Sequence, residues 1–573
     1  MNRLIIAALV FAATLCAQTS TWRPVVLGLD GMVVSGHYAT AQAGYKMLAQ
    51  GGNAVDAAVA AAFASTVVEP SRAGLGGHST ILIYLAKSRQ VKFINGNGWA
   101  PERATPEFFQ ARGGIPLDGP LAPIVPGSAA GLLRAAEEAG RLDRQKLLTP
   151  SIELAERGFV VSENLHNVFR RNAERLVPFP TTTKMWFSHG EPVRMGDIVI
   201  QKDLGQTFRL IASGGHDAFY KGPIARRISE FLKKDGGIIE TSDLAGFSAE
   251  EGEPLQVRYK GYDLYMAPPT SYGHVMLEAL NILEGFDLKA MGHNSATYLH
   301  HVTEALKLAF ADRDAFTGDP RFVKDVPIRE LLSKEYAAKR RALIRPDRAI
   351  DGAAPPGTPA RGTERAALDS DPFPDWIEGL TTYVGVVDKD RNMVSITSTI
   401  SSDFGNSMYV DGPGAGFFLN NWMSLFRPEA GHPNGVAPRK RPKHGLSPVL
   451  VLKDGNPFMV FGTPGGDTIP QAQLQFFLNF AEFGMNVQQA VEQPYIATSA
   501  FIASRVPYEV ANKLSVSKRI GEDVRAELAR RGHNVETHPA FGVGSVKAIL
   551  VDPAKRVLMG GAAPATDSYA IGW

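Results

Sequence analysis

Gly379-Leu380-Thr381-Thr382-Tyr383-Val384-Gly385-Val386-Val387-Asp388 is the stretch on which the reading of this chain turns. Before it, residues 352–378 are rich in proline, glycine and charge, include Pro372 and Pro374, and carry no helical or strand pattern. After it, Tyr383 to Val387 is an apolar run with the composition of a buried strand. Taken alone, Thr381 and Thr382 are β-branched residues opening that strand. The same arrangement also suits a chain that is cut before Thr381. A new N-terminal threonine carries its own amine beside its hydroxyl, and the amine can serve as base for the hydroxyl.

Working outward, 573 residues are too many for one simple core, so two domains or one large layered domain are expected. Hydrophobic residues make up 44% and charged residues 21%, as in a globular protein and unlike a disordered or fibrous one. The formal net charge of +2 gives no sign of a nucleic-acid or acidic-membrane partner. Arg3, an apolar run from Leu4 to Leu15 and small residues around Ala17 read as a secretory signal peptide over residues 1–17. The competing reading is a lipid anchor on Cys16, for which Leu15 is large at the preceding position. Cys16 is the only cysteine, so cleavage after Ala17 removes disulfides, thiolate catalysis and cysteine-ligated metals from consideration. The expected location is therefore periplasmic or secreted.

Upstream of the threonines, strand 31–35 leads to a helix over 39–50, ended at Gly51-Gly52. Asn53 can cap a second helix, 54–68, which is alanine and valine on nearly every face and so reads as a buried core helix. A glycine-rich turn, Ser71 to His78, precedes strands 80–85 and 91–94. Helical patterns follow at 128–139, 147–157 and 224–234, then a strand pair at 255–259 and 262–266 and a helical run across 274–316. Downstream, 384–387 and 393–399 form a hairpin, 449–452 and 458–461 a second one across Asp454-Gly455. A helix over 471–483, another near 521–531 and a last strand pair, 548–551 and 557–559, complete the pattern. Stacked sheets covered by helices are the expected architecture.

Competing chemistries lack their motifs. The chain has no Gly-x-Ser-x-Gly elbow, no His-Glu-x-x-His and no Gly-x-x-x-x-Gly-Lys-Ser/Thr loop. Ser515 and Lys518 match a Ser-x-x-Lys pattern without its partner motifs, and the thirteen histidines show no ligand spacing. Several other segments stand in a recognisable order. They are Gly51-Gly52-Asn53-Ala54-Val55-Asp56-Ala57-Ala58-Val59-Ala60, Val68-Glu69-Pro70, Gly74-Leu75-Gly76-Gly77, Val125-Pro126-Gly127, Asn281-Ile282-Leu283-Glu284, Ala311-Asp312-Arg313, Thr381-Thr382, Leu419-Asn420-Asn421 and Pro464-Gly465-Gly466. On these the chain resembles the γ-glutamyltranspeptidase family of self-processing N-terminal-nucleophile hydrolases.

The resemblance implies an α+β, four-layer αββα sandwich, made as a precursor and cleaved into two interleaved fragments. They would be a large fragment, 18–380, whose stretch 352–380 is a flexible approach to the cut, and a small catalytic fragment, 381–573. It further implies Thr381 as nucleophile and amine base, Thr399 as the hydroxyl that tunes it, and Gly465 and Gly466 as oxyanion donors. Such donors contribute roughly 3–4 kcal/mol each. No metal and no cofactor is implied. The partners would be a small amide or γ-glutamyl substrate and an acceptor amine or water, with the two fragments associated and a dimer of such pairs left open.

The departures fall on substrate recognition. Where the family places a carboxylate-binding arginine this chain has Asn97, and where it places an ammonium-binding acid it has Leu425. Two serines become His444 and Gly445, and an asparagine becomes Ser401. Asparagine cannot form an arginine's bidentate clamp, and leucine cannot hold an ammonium. Trp422, Trp99 and His444 are candidates to line a more apolar acyl pocket, with core packing the alternative for either tryptophan; Asn420 is a candidate to shape the pocket, with a structural amide the alternative, and Arg441 or Lys443 could supply a positive end instead. The segment 428–438 is too short for the lid loop of some family members. The expected activity is an amidohydrolase or acyltransferase with an altered acyl pocket. An acylase for β-lactam side chains or an oxamate-like amide is the alternative, and a non-catalytic binding protein the third reading.

Overall fold

The computed structural model describes residues 21–359, 381–429, 431–505 and 508–573. The signal peptide read over 1–17, Cys16, and residues 360–380 of the approach to Thr381 lie outside the described residues.

Fourteen strands carry the architecture. They are β1 (Val26–Gly28), β2 (Gly31–Ser35), β3 (His78–Leu85), β4 (Gln90–Gly96), β5 (Glu250–Gly252), β6 (Leu255–Tyr259) and β7 (Tyr262–Met266) upstream of the threonines. Downstream come β8 (Thr382–Asp388), β9 (Met393–Thr399), β10 (Val449–Lys453), β11 (Asn456–Gly462), β12 (Lys547–Val551), β13 (Leu558–Ala562) and β14 (Tyr569–Gly572). They form two seven-stranded sheets, ordered β1-β13-β12-β11-β10-β7-β6 and β14-β2-β8-β9-β3-β4-β5. Each sheet therefore mixes strands from before and after Thr381.

Side-chain alternation explains why the sheets stack. On β8, Val384 and Val386 face a helical layer, while Tyr383 and Val387 face the other sheet. On β2, Val33 and the pair Met32 and Val34 divide the same way. The inter-sheet layer joins these residues to Leu450, Val460, Ile549 and Leu558 of the first sheet. The outer face of the second sheet packs on α1 (Tyr38–Ala49), α2 (Ala54–Val68), α3 (Ser128–Ala139) and α4 (Arg144–Arg157). The outer face of the first sheet packs on α5 (His274–Leu283), α6 (Ala296–Phe316) and α7 (Ile469–Ala481). The order is helix, sheet, sheet, helix, as the sequence led us to expect.

The Ala/Val-rich α2 is buried along its whole length, and Asn53 caps it in a capping box with Asp56. Asp388, at the end of β8, accepts the Ala54 N–H at 2.9 Å and ties helix to strand. The helical run expected across 274–316 is two long helices, because Gly285 and Gly292 flank a short turn of helix at Leu288–Met291. The edge strands β5 and β14, and a small sheet of Ile496–Thr498, Leu514–Ser517 and Val535–His538, had no readable pattern. No helix of the described residues is long and apolar enough to cross a membrane.

Burial keeps several histidines neutral. His37 and His300 are pushed down from 6.5 to about 4, and His78, His274 and His533 to about 3, in each case chiefly by desolvation. A folded-state pKa below the unfolded one means stability is complete above 6.5 and falls as pH drops towards the folded values. Each such group removes about 1.4 kcal/mol per pH unit within that window. The unfolding temperature should therefore be flat near neutrality and fall steeply from about pH 6 to about pH 4.5, with proton uptake on unfolding. A flat thermal profile across that range would contradict the assignment of these histidines as buried and neutral.

Candidate active site

Thr381 stands immediately before β8, and its position follows from strand register. β8 and β9 pair antiparallel with Thr382 opposite Ser398, so the next residue of each strand, Thr381 and Thr399, meets across the ladder. Their hydroxyls are 3.5 Å apart, with Thr381 Oγ1 donating. Thr399 Oγ1 also accepts the Ser401 N–H at 2.9 Å, which fixes its rotamer. By alternation both threonines point into the mouth between the two sheets, on the side occupied by Tyr383.

Thr382 points the other way. Its hydroxyl donates to Glu69, 3.0 and 2.9 Å from the two carboxylate oxygens, at the end of α2. Glu69 belongs to a buried charged cluster. Burial raises its pKa, opposed by Arg72 and Lys547, while burial draws Lys547 down to about 7. Glu69 lay within a recognised segment of sequence, but Lys547, nearly five hundred residues away, carried no signal of this contact.

Gly465 and Gly466 follow β11 and begin the turn into α7. Gly465 has φ 136°, ψ 18°, and Gly466 has φ 55°, conformations that favour glycine. Among the described residues neither N–H has an acceptor, and both lie at the start of a helical segment, where donors converge.

One pocket is lined by Thr381, Thr399, Ser401, Trp422, Leu425, His444, Gly445 and Gly466, together with Tyr272, Leu446, Ile469, Ser504 and Arg505. The structure thus brings eight of the eleven expected site residues to one place. Gly465 lines a neighbouring cavity of about 120 Å³, with Arg72 in its wall. Trp422 is sandwiched between His78 and His444, with ring centroids at 3.9 and 4.8 Å. Desolvation holds His444 well below its ordinary pKa, so this wall is aromatic and uncharged.

Two expected substrate contacts lie elsewhere. Asn97 is buried away from the pocket. Its amide donates to Thr80 Oγ1 at 3.0 Å and Asn95 Oδ1 at 2.7 Å, so its hydrogen-bonding capacity serves the sheet. Asn420 is a staple: its amide donates to Gly76 O and Ile124 O, both at 2.9 Å, and accepts from Ile124 N and Trp422 N. Trp99 packs edge-on against Phe247 and under the Arg441 and Arg321 guanidinium groups, outside the pocket.

The two cations considered for a positive end are also committed. Arg441 donates to Asn97 O at 2.7 Å and to Glu250 at 2.8 Å. Lys443 is paired with buried Asp314, whose pKa sits at about 2 because Lys443 and Arg313 outweigh desolvation, the largest single contribution. The pocket residues that sequence did not single out are Tyr272, Leu446, Ile469, Ser504 and Arg505. They sit in loops and a helix start without pattern of their own.

Elsewhere, His300, Glu304 and His533 bring three donor atoms within 4.8 Å of one another. The trio is closed by its own bonds. His533 Nε2 donates to His300 Nδ1 at 2.8 Å, because His300 Nε2–H is given to Arg345 O at 2.7 Å. Lys307 pairs with Glu304 at 3.3 Å, where a cation would otherwise sit. Only the fold brings His533 to this i, i+4 pair on α6.

An αββα sandwich that sets a threonine at the start of a central strand, at the mouth between its sheets, defines an N-terminal-nucleophile hydrolase. A family model described as Gamma-glutamyltranspeptidase matches residues 40–573. The glutathione hydrolase proenzyme of Bacillus subtilis (strain 168) is 35% identical over 561 residues, 96% of this chain and 93% of the relative. The acylase ACY 1 proenzyme of Pseudomonas sp. (strain SE83) is 36% identical over 538 residues, 92% of this chain and 90% of the relative. Among solved structures, cephalosporin acylase from Bacillus halodurans superposes with a TM-score of 0.86 at 31% identity, covering 97% of this chain and 98% of that one. The chain belongs to the γ-glutamyltranspeptidase family.

Proposed function

We propose that this chain is an exported amidohydrolase or acyltransferase that cuts itself between Leu380 and Thr381 and then uses Thr381 as nucleophile. The observation that carries the reading is the register of β8 and β9, which sets the two threonine hydroxyls together in the pocket that also holds Gly466. In the cut chain the Thr381 α-amine takes the hydroxyl proton as Oγ attacks the amide carbonyl. The oxygen that becomes negative is received by the N–H groups of Gly465 and Gly466, a contribution of about 3–4 kcal/mol per donor. The protonated amine gives its proton to the leaving amine, and water or an acceptor amine then resolves the acyl-threonine.

The relatives named glutathione hydrolase support an amide-cleaving role, while the pocket wall supports a different acyl group from glutathione's. Leu425 and the Trp422–His444 stack supply no partner for an α-ammonium, and Asn97 does not reach the pocket. Weak hydrolysis of glutathione and better hydrolysis of another acyl amide are expected. The similarity to two proteins named as acylases favours, as a second reading, an acylase for the side chains of β-lactams.

Processing and specificity are tested together. Purified protein should run as two fragments on a denaturing gel. It should turn over γ-glutamyl-p-nitroanilide more slowly than less polar acyl anilides. One full-length band, or γ-glutamyl turnover exceeding that of every other acyl group, would count against the respective half of the reading. Mass spectrometry of the exported protein reads the signal cleavage.

Thr399 gives a graded test. Thr399→Val keeps shape but removes the hydroxyl that meets Thr381 and the Ser401 N–H. A fall in kcat of about 10–100-fold is expected, with slower processing, matching the loss of a hydrogen bond worth about 1.5–3 kcal/mol to a charged centre. Unchanged kcat would remove Thr399 from the mechanism.

A further inference from the structure

We infer that the cavity walled by Arg72 and Arg519 is a binding site for a small doubly charged oxyanion of the phosphate or sulfate type. It is separate from the pocket of Thr381: Gly465 lines the one and Gly466 the other. Its volume of about 120 Å³ has room for several waters, or for one such ion with part of its hydration. Both arginines line it and no carboxylate does. It meets solvent at Ala565, an exposed residue of its rim.

Arg72 carries the inference. It is only 8% exposed, makes no side-chain hydrogen bond and no ion pair among the described residues, and its Nε is buried without a partner. A cation taken out of water in this way is costly unless a counter-charge answers it. The acids of the region are bonded elsewhere. Glu69 accepts the Thr382 hydroxyl, Asp403 the Asn172 amide at 3.3 Å, and Asp567 the Ser162 hydroxyl at 2.7 Å. Glu69 and Asp403 act on Arg72 through space alone. Arg519 adds a second charge. Its Nε and Nη1 donate to the Ala540 and Glu492 carbonyls at 3.0 and 2.6 Å, and it lies over the Phe541 ring, 4.4 Å from the centroid. These partners are neutral, so the guanidinium is held in place with Nη2 left over. The Glu492 carboxylate is taken by the Trp22 and Arg23 N–H groups at 2.6 and 2.9 Å. Val543 and Gly544 also line the cavity, and neither N–H has an acceptor among the described residues. Guanidinium forks and backbone N–H groups are the donors that oxyanions use. Two cations with no acid in the wall favour a dianion over a singly charged ion.

Calorimetry on the purified protein reads the site without turnover, so the result stands whether or not Thr381 is the nucleophile. In a chloride buffer of fixed ionic strength, sulfate or phosphate should bind once per chain with a dissociation constant of about 1 mM or tighter. The tighter of the two names the occupant. Acetate, singly charged, should bind at least about tenfold more weakly. Arg72→Gln should weaken the dianion at least about tenfold, and Arg72→Lys by less, because it keeps the charge without the fork. Arg519→Gln changes a half-buried residue and gives a second test if Arg72→Gln does not fold; a similar loss is expected there. Crystals soaked in selenate should show its anomalous signal beside the Arg72 guanidinium. No heat from either dianion at about 10 mM, acetate binding as tightly as sulfate and phosphate, affinity unchanged in the folded variants, or selenate found only at other places would each overturn the site.

Discussion

Thr381→Ala should give a single full-length band on a denaturing gel and no measurable amide turnover. The substitution removes both functions at once: there is no hydroxyl to attack the preceding carbonyl, and so no free amine afterwards. Losses on removing an acyl-transfer nucleophile are of the order of 10⁴-fold or more, because the residual comes from binding and the oxyanion site alone. The fold should survive. Thr381 Oγ1 makes one long contact, at 3.5 Å, and β8 is held by its ladders to β2 and β9. The unfolding temperature is expected to stay within about 2 °C. Thr381→Ser keeps the hydroxyl and should still process. Two bands from the alanine variant would mean the cut is made by something other than this residue.

Gly465→Ala should lower kcat by about 10²–10³-fold while leaving KM nearly unchanged, the signature of an interaction made only in the transition state. The backbone there has φ 136°, and a Cβ would lie 2.2 Å from Thr468 Oγ1. That hydroxyl cannot simply turn away, because it donates to Gly465 O at 2.9 Å. Relief must come from rotating the peptide, which re-aims the N–H groups at Gly465 and Gly466. A raised KM with intact kcat would place the glycine turn in substrate binding instead.

The architecture was largely legible because it rests on local pattern. The unbroken apolar runs Met32-Val33-Val34 and Tyr383 to Val387 announced strands covered on both faces, and α2 announced itself by apolarity all round. The edge strands were not legible. Tyr569–Gly572 and Glu250–Gly252 are short and carry no alternation, and only their neighbours make them strands.

The residues proposed for catalysis stood out through their motifs, whereas the lining of the pocket they share was legible only in part. Position in a motif placed Leu425, His444 and Gly445 at the pocket, but it also pointed to Asn97, which the geometry commits to Thr80 and Asn95. Arg505 was invisible for the opposite reason. It lies in an unpatterned loop, and its place in the pocket depends on residues a hundred positions away, such as Ser402.

The interleaving of the two sheets has a consequence for the life of the molecule. With a cut before Thr381, β8 would remain zipped between β2 of one piece and β9 of its own, while β14 and β1 reach back across the divide. The pieces could not drift apart without tearing open the middle of both sheets. Once torn, they would have to find each other as separate molecules, having lost the covalent tether under which the strands first assembled. The mature protein would then hold a shape whose folding instructions were written in a longer chain that no longer exists. Its persistence would be governed by how slowly it opens, and after a thermal excursion activity should not return, whereas the uncut Thr381→Ala chain should refold.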